Sequence, residues 1–526
     1  MPFLRIPPFP GHRAAPLAVP GGHARADWAA LAAALAKARV GGAFWAAQVS
    51  LPKGRDVLLA PVSQAEAWAL LDGAAADGLA ARAVLVGPYA SRGKVPVITR
   101  LADPWHLAAQ ASEVRGGALH ELVLVAALLG KDGDAAGLLE AALAQWDWRS
   151  PFTGEAMSLP DVAALLADWR RLIDANCGLA AVFGVARWKR VATDALLWDG
   201  GEGPRHARAG SADERALRRG ARALAWKSRT DPALPQRLAA RGVALGEIED
   251  GFIRSSGLGA NCVPPLSIIV DGEGAYFDPA QPSGLERLLA EAEIGPDLRA
   301  RAAVLRQRLV SAGISKYGQD SAKVTRPGGA RRHVLVTGQV EDDRSVQAGG
   351  AGLTNLALLR RARSAEPDAF LTYKPHPDVE AGHRKGHVPL AEALALADAV
   401  EADAPIAGLI DAADALHVIT SLAGFEALMR GKEVTVHGVP FYAGWGLTTD
   451  LGPVPARRGR ARSLDELVAA TLLLYPRYLD PVTRLPCPVE VLVERMAAGE
   501  ARIGSPLVWL REAQGRLNLL LRGFRA

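Results

Sequence analysis

HVLVTGQVEDDRSV (333–346), FLTYKPHPD (370–378), ALHVITSLAGFEALMRG (415–431) and EVTVHGVPFYAGWGLTTD (433–450) decide how this chain folds. Each opens on a short apolar run of strand type. Between them lie stretches with helical spacing, such as Leu353–Arg363 and PLAEALALADAV (389–400). Strand and helix in alternation build a parallel sheet wound on both faces, and ligands of such sheets sit beyond the carboxyl ends of the strands. The residues directly after each apolar run are therefore the first candidates for chemistry.

A second α/β pattern precedes this one. It opens at ALLW (195–198), passes through Arg/Ala-rich helices to EDGFIRSSGLGANCVPPLSIIVDGEGAYFD (249–278), and ends near Pro327. Further upstream, from Asp56, the runs VLLAP (57–61), AVLVGP (83–88) and VPVITR (95–100) alternate with the helical stretches 63–76 and 103–114. Residues 1 to about 25 are rich in Pro and Gly and read as an extended, mobile arm ahead of a helix beginning at Asp27. Residues 151–190 read as a helical linker.

The totals agree with several units: 526 residues exceed one ordinary core, and 49% hydrophobic against 22% charged residues can fill several. A net charge of +5, with no Lys/Arg run carrying interleaved aromatics, argues against a nucleic-acid partner. Three widely spaced cysteines, Cys177, Cys262 and Cys487, fit a reducing compartment. The N-terminus has no long apolar core, and no stretch approaches the roughly 20 apolar residues that span a bilayer, so the expected location is cytoplasmic.

Residues 103–131 echo 404–432 at a constant offset, but the polar positions differ. Where the later copy has Ser421, Gly424 and Glu426, the earlier has His120, Val123 and Val125. The N-terminal region, 1–150, therefore reads as a degenerate α/β remnant of a second module.

Four strand ends in the last pattern are polar together. HVLVTG runs into Gln339, Glu341, Asp342 and Asp343. FLTY runs into KPHPD, where Pro375 and Pro377 stiffen the backbone around His376 beside Lys374. Ser421 follows ALHVIT and can cap the next helix, whose N-terminus is an anion site; Gly424 admits a close approach, and Glu426 can take two ribose hydroxyls. The loop 439–450, with Trp445, suits covering a base or sugar, or packing on a neighbouring domain. Singly these motifs also fit an acidic turn, a Pro-rich turn and an ordinary cap; their order is what points to a site.

IEDGFIRSSGLG (248–259) adds Glu249, Asp250 and Arg254. Its Gly257-Leu258-Gly259 lacks the third glycine and the helix of a dinucleotide fingerprint, and the chain has no phosphate-binding GK[ST] loop. His376, His383 and His387 are surrounded by Lys374, Arg384 and Lys385, company that favours phosphate or carboxylate over a metal ion.

EDGFIRSSGLG, PPLS, GQVEDD, YKPHPDV, TSLAGFEAL and PFYAGWGLT together resemble, in order and spacing, the bacterial capsule-polysaccharide β-Kdo transferases, in particular the second of two tandem modules in the larger enzymes. The resemblance covers roughly Trp188 to Pro481. It implies a GT-B-like pair of Rossmann-like domains, with an acceptor-side domain at 191–327 and a CMP-sugar-binding domain at 328–483. The tail at 484–526 contains LVWLREAQGRLNLLLRGFR (507–525), which is amphipathic and basic and fits either anionic lipid or packing on the enzyme. The resemblance further implies transfer of Kdo from CMP-Kdo, with retention and without metal or other cofactor, to a lipid-linked Kdo acceptor of the phosphatidylglycerol type at the inner face of the inner membrane, alongside capsule assembly and export machinery. Asp343 matches the family's nucleophile, Glu249 its acid/base carboxylate and His376 the His of its K-P-H-P motif. Ser421 and Glu426 would hold the CMP phosphate and ribose, Lys374, His376 and Arg254 are partners for the sugar carboxylate, and Gln339, Gly424 and Trp445 complete the substrate site. Two other readings fit the same motifs: a transferase moving glycerol phosphate or another sugar of envelope polymers, and a non-catalytic assembly factor.

Overall fold

The computed structural model describes residues 2–501 apart from positions 23, 132, 256–262, 317, 320–323 and 383. The Gly257–Gly259 fragment, Cys262, His383 and residues 502–526 of the tail expected at 484–526 thus lie outside the described residues. The start of that tail is a helix, Val489–Ala497, whose Val489, Leu492, Val493 and Met496 are buried in an apolar core. The chain divides into two units, one made of residues 1–181, 193–205 and 482–486, the other of 182–192, 206–481 and 487–526.

The first unit is built on a parallel sheet of four strands: β1 (Val57–Ala60), β2 (Ala83–Val86), β3 (Val97–Ile98) and β4 (Glu113–Gly116). Their order across the sheet is β3-β2-β1-β4. Every residue of β1 is buried, as an all-apolar run covered on both faces requires. Helix α1 (Pro104–Gln110) leads into β4, and α2 (Glu121–Leu128) follows it. Helix α3 (Leu159–Asn176), expected as a linker, turns Leu159, Val162, Leu166, Trp169 and Ile173 into the core of this unit.

The N-terminal arm, expected to be mobile, is packed. Phe3, Leu4, Phe9 and Leu17 are buried, and the Phe9 ring stands edge-on to Trp169 at 5.7 Å and to Trp198 at 5.0 Å. Proline and glycine content speaks only to the backbone; the apolar side chains set between them bury enough surface to anchor it.

A buried ion pair ties α1 to α3. Arg170 Nη2 lies 3.0 Å from Asp103 Oδ2, with side-chain exposures of 4% and 1%, while Asp103 Oδ1 accepts from the Trp105 backbone and so caps α1. Arg170→Ala would leave the Asp103 carboxylate buried without its cation. That should cost the first unit about 3 kcal/mol, read as an earlier urea transition, and an unchanged midpoint would show that the pair contributes nothing.

The second unit carries two sheets. The strand expected at ALLW is instead the end of a helix, Arg190–Leu196, and the strand of this region is β5 (Leu179–Phe183), which begins three positions after the end of α3, where the linker was expected to continue. The first sheet contains β6 (Arg222–Ala225) parallel to β7 (Ala244–Asp250), with β8 (Ser267–Asp271) antiparallel beyond β7. The second sheet is wholly parallel: β9 (His333–Thr337), β10 (Phe370–Lys374), β11 (Ala399–Val400), β12 (Ala415–Val418), β13 (Glu433–Val436) and β14 (Thr449–Asp450). Its order is β11-β10-β9-β12-β13-β14, so the winding reverses between β9 and β12 and opens a crevice at their carboxyl ends. The two sheets share one apolar cluster in which Phe252, from the loop after β7, meets Phe425 and Phe441.

The internal echo extends to topology. β3-β2-β1-β4 repeats the order β11-β10-β9-β12, and α2 matches the eight-residue helix Leu422–Met429, with His120 capping the one and Ser421 the other. The fold class expected from the sequence, two Rossmann-like sheets preceded by a reduced α/β region, is the one observed.

Candidate active site at the strand ends

Asp343 sits at the turn after β9 and caps α4 (Arg344–Gly349). Its Oδ1 accepts from the Ser345 backbone at 3.0 Å and from the Ser345 hydroxyl at 2.7 Å. One carboxylate oxygen is therefore fixed in place, while the side chain is exposed and no hydrogen bond holds Oδ2 among the described residues. The neighbouring Arg344 reaches the first sheet: Nη1 donates to Glu249 Oε1 at 2.8 Å and Nη2 to Glu247 Oε2 at 3.3 Å, both on β7. Consecutive residues thus supply a free carboxylate and the cation that grips Glu249.

The environment of Glu249 is unusual for a carboxylate. Burial pushes its pKa up to about 7, with Asp250 and Glu247 adding to the rise and Arg344 and Lys189 opposing it. A largely buried carboxyl poised near neutrality is the signature of a group that can give and take a proton. Its neighbour Asp250 stays below the ordinary range because Lys189 at 3.0 Å and Arg254 at 2.8 Å pair with it. Burial over the Trp226 ring, 3.3 Å from the ammonium, lowers Lys189 to about 8.

His376 lies where the KPHP segment ends β10. Its Nδ1 accepts from the Asp378 backbone at 3.2 Å, which makes Nε2 the protonated nitrogen of the neutral ring. Burial lowers its pKa, Asp378 and Asp343 raise it, and Arg384 and Lys374 lower it, so the ring is neutral at pH 7 and feels the Asp343 charge. Asp343 and His376 belong to one electrostatic site, and Glu249 is joined to it through Arg344.

The other expected substrate residues are placed differently. Arg254 is buried, and its guanidinium is occupied by Asp250, the Ser255 hydroxyl at 2.7 Å and the Val263 carbonyl at 3.1 Å. Gln339 staples the two strands that flank the crevice, donating to Thr420 Oγ1 at 3.1 Å and accepting from its backbone at 2.8 Å. Lys374 donates to the Ala402 carbonyl, and burial lowers its pKa. Ser421 caps α5 (Leu422–Met429), accepting from Ala423 at 3.2 Å, at the carboxyl end of β12. Gly424 answers to the protein itself: a Cβ there would run into the Tyr442 hydroxyl, which donates to the Ser421 carbonyl at 2.5 Å. The Glu426 carboxyl is buried and accepts from the Lys316 backbone at 3.3 Å. Trp445 is fully buried, its Nε1 donating to Phe441 at 2.9 Å, which makes its loop a packing element.

Two contributors escaped the motif reading. Arg344 lies within QVEDDRSV, where the acidic run Glu341–Asp343 is the stronger sequence signal. Buried Asn355 clamps the loop after β9, donating to the carbonyls of Gln339 at 2.7 Å and Gly386 at 2.8 Å and accepting from the Gln339 backbone at 2.9 Å. A lone Asn opening a helix carries no sequence signal of that role.

The sequence profile described as "Capsule polysaccharide biosynthesis protein" matches residues 224–319 and 296–478. Two solved structures of Thermosulfurimonas dismutans KpsC, its β Kdo 2,7 transferase and its β Kdo 2,4 transferase, are each 31% identical to this chain. They cover 61% and 60% of it and 99% and 98% of their own length, with TM-scores of 0.50 and 0.51. The chain belongs to the capsule polysaccharide biosynthesis family. Its relatives in that family include the capsule polysaccharide modification protein LipA of Neisseria meningitidis serogroup A, 41% identical over 66% of this chain and 49% of LipA. The lipopolysaccharide-processing protein LpsZ of Rhizobium meliloti is 47% identical over 45% of this chain and 54% of LpsZ. The chain spans about half the length of these curated relatives. Among its described residues no helix is long and apolar enough to cross a membrane.

Arg344→Ala removes the largest influence holding the Glu249 pKa down. The Glu249 titration, followed by NMR of the labelled carboxyl, should move above 7, whereas an unmoved titration would detach Arg344 from the site.

Proposed function

We propose that the chain is a retaining β-Kdo transferase that moves Kdo from CMP-Kdo to a lipid-linked Kdo acceptor in capsule polysaccharide biosynthesis, working at the cytoplasmic face of the inner membrane. One observation carries the chemistry: a half-free carboxylate, Asp343, adjoins the arginine that holds a second carboxyl, Glu249, near pKa 7. Retention by double displacement asks for that pair, one carboxylate to form a glycosyl adduct and one group to take the acceptor proton. The likeness to the two KpsC transferases supports the choice of sugar.

In the first step Asp343 Oδ2 bonds to the anomeric carbon of Kdo, and the bond to the phosphate oxygen breaks, its electron pair leaving with CMP. In the second step the acceptor hydroxyl bonds to that carbon from the opposite face, its proton passes to the Glu249 carboxylate, and Asp343 leaves with the electron pair of the adduct bond. The neutral His376 donates from Nε2 to the donor phosphate or the sugar carboxylate, and the N-terminus of α5 behind Ser421 stabilises the phosphate. No metal is required in this scheme, because one phosphate leaves and Lys374 and Arg384 stand near His376 to offset the phosphate charge.

The test incubates purified protein with CMP-Kdo, generated in situ, and a synthetic Kdo-terminated acceptor, followed by mass spectrometry. The acceptor should gain one Kdo mass with the native protein and none with Asp343→Ala; no transfer to any Kdo acceptor would sink the proposal. Because Glu249 must be ionised to accept the proton, kcat/KM should fall as pH drops through about 7. Glu249→Gln should abolish that limb and lower the rate by roughly 100-fold or more.

A further inference from the structure

The first unit keeps a cavity where its sheet would be expected to bind a ligand. It measures about 300 Å³ and is lined by residues that follow β1 (Pro61), β2 (Gly87 to Tyr89) and β3 (Thr99 to Ala102), and by His120 and Leu122 at the start of α2. The winding of this sheet reverses between β1 and β4, so the cavity occupies the switch-point crevice, the counterpart of the crevice between β9 and β12. Its volume is at the lower end of the range of small-molecule sites, about 300–1,000 Å³.

The lining excludes catalysis of the kind proposed above. Where Asp343 follows β9, the segment after β1 reads PVSQ, and the next carboxylate, Glu66, accepts from the Val62 backbone at 2.8 Å. Glu121 is held by Arg5 at 2.8 Å. What remains is a recognition surface. Arg100 is exposed and has no hydrogen-bond or ionic partner among the described residues. His120 Nδ1 accepts from Leu122 at 3.1 Å, which leaves Nε2 as the ring's donor, and burial keeps the ring neutral. The wall is shaped deliberately at Gly87, whose φ of +120° and missing side chain let the Tyr89 ring lie against the backbone, 2.7 Å from where a Cβ would stand. Leu101, 62% exposed, extends the apolar face beside it.

One unpaired cation, two neutral hydrogen-bonding groups (Thr99 and His120) and an aromatic-aliphatic platform fit a single-charge ligand with hydroxyls and a C–H face. We propose that this cavity is a second, non-catalytic binding site for a carboxylate-bearing sugar, with Arg100 taking the carboxylate and Tyr89 and Leu101 supporting the ring. The choice of an acidic sugar over other carboxylates rests on the function proposed above.

The test uses the full chain with 13C-labelled leucine methyls and the methyl glycoside of Kdo, which carries no leaving group the enzyme can use. The Leu101 and Leu122 methyls should shift on titration, and the apparent Kd should rise at least tenfold in Arg100→Glu and recover partly in Arg100→Lys. Methyl glucoside should leave them unmoved. Absent shifts in the native protein, or an unaltered Kd in Arg100→Glu, overturn the site; shifts produced by CMP in place of the glycoside overturn its assignment to a sugar. The transfer assay reads the other site independently. Lost transfer with Leu101 shifts intact would refute the transferase reading alone, and intact transfer without shifts would refute this inference alone.

Discussion

The Arg344 guanidinium is the interaction on which the chemistry of the second unit depends. It starts from the turn that presents Asp343 at the end of a fully parallel sheet and ends on Glu247 and Glu249 of a mixed one. Without a cation there, burial and two neighbouring carboxylates would drive Glu249 well above neutrality, and with a fully solvated one its pKa would fall to the ordinary range. The observed balance near 7 needs both the burial and the bridge. Lys189 and Arg254 play the supporting part, since by neutralising Asp250 they spare Glu249 a second full charge at the adjacent position.

Much of the fold was legible because strand ends in a parallel sheet announce themselves. Each of HVLVT, FLTYK, ALHV and EVTV became the strand its apolar run suggested. Composition misleads where buried apolar side chains sit between prolines and glycines. The Pro- and Gly-rich start hid Phe3, Leu4 and Phe9, whose burial overrides a flexible backbone, and ALLW looked like a strand although the run LAAVF, just upstream, was the one that entered the sheet.

The site was legible in a different measure. Asp343 and His376 follow β9 and β10 of one parallel sheet, where polar residues after strands are expected, whereas Glu249 lies on β7 of the other sheet and meets Arg344, the neighbour of Asp343. Arg254, Gln339, Gly424, Glu426 and Trp445 stand in the same motifs, yet their partners are Asp250, Thr420, Tyr442, the Lys316 backbone and Phe441. A motif records which residues are needed around a site and is silent on whether each one faces the ligand or holds up its neighbour. Only long-range partners, such as the 95 positions separating Arg344 from Glu249, distinguish the two.

The four-stranded sheet of the first unit ends at β4, where its six-stranded counterpart continues through β13 and β14. A terminal strand offers a row of unpaired backbone groups to any passing chain. On β4 that row is guarded by alternating charge: Arg115 forks between Glu113 at 2.6 Å and Asp77 at 2.5 Å. Stopping a sheet one strand past its reversal, with the new edge armoured against strand addition, is the shortest form in which a crevice of this kind survives. A four-stranded sheet of this kind therefore keeps its crevice while its edge stays closed to a passing strand.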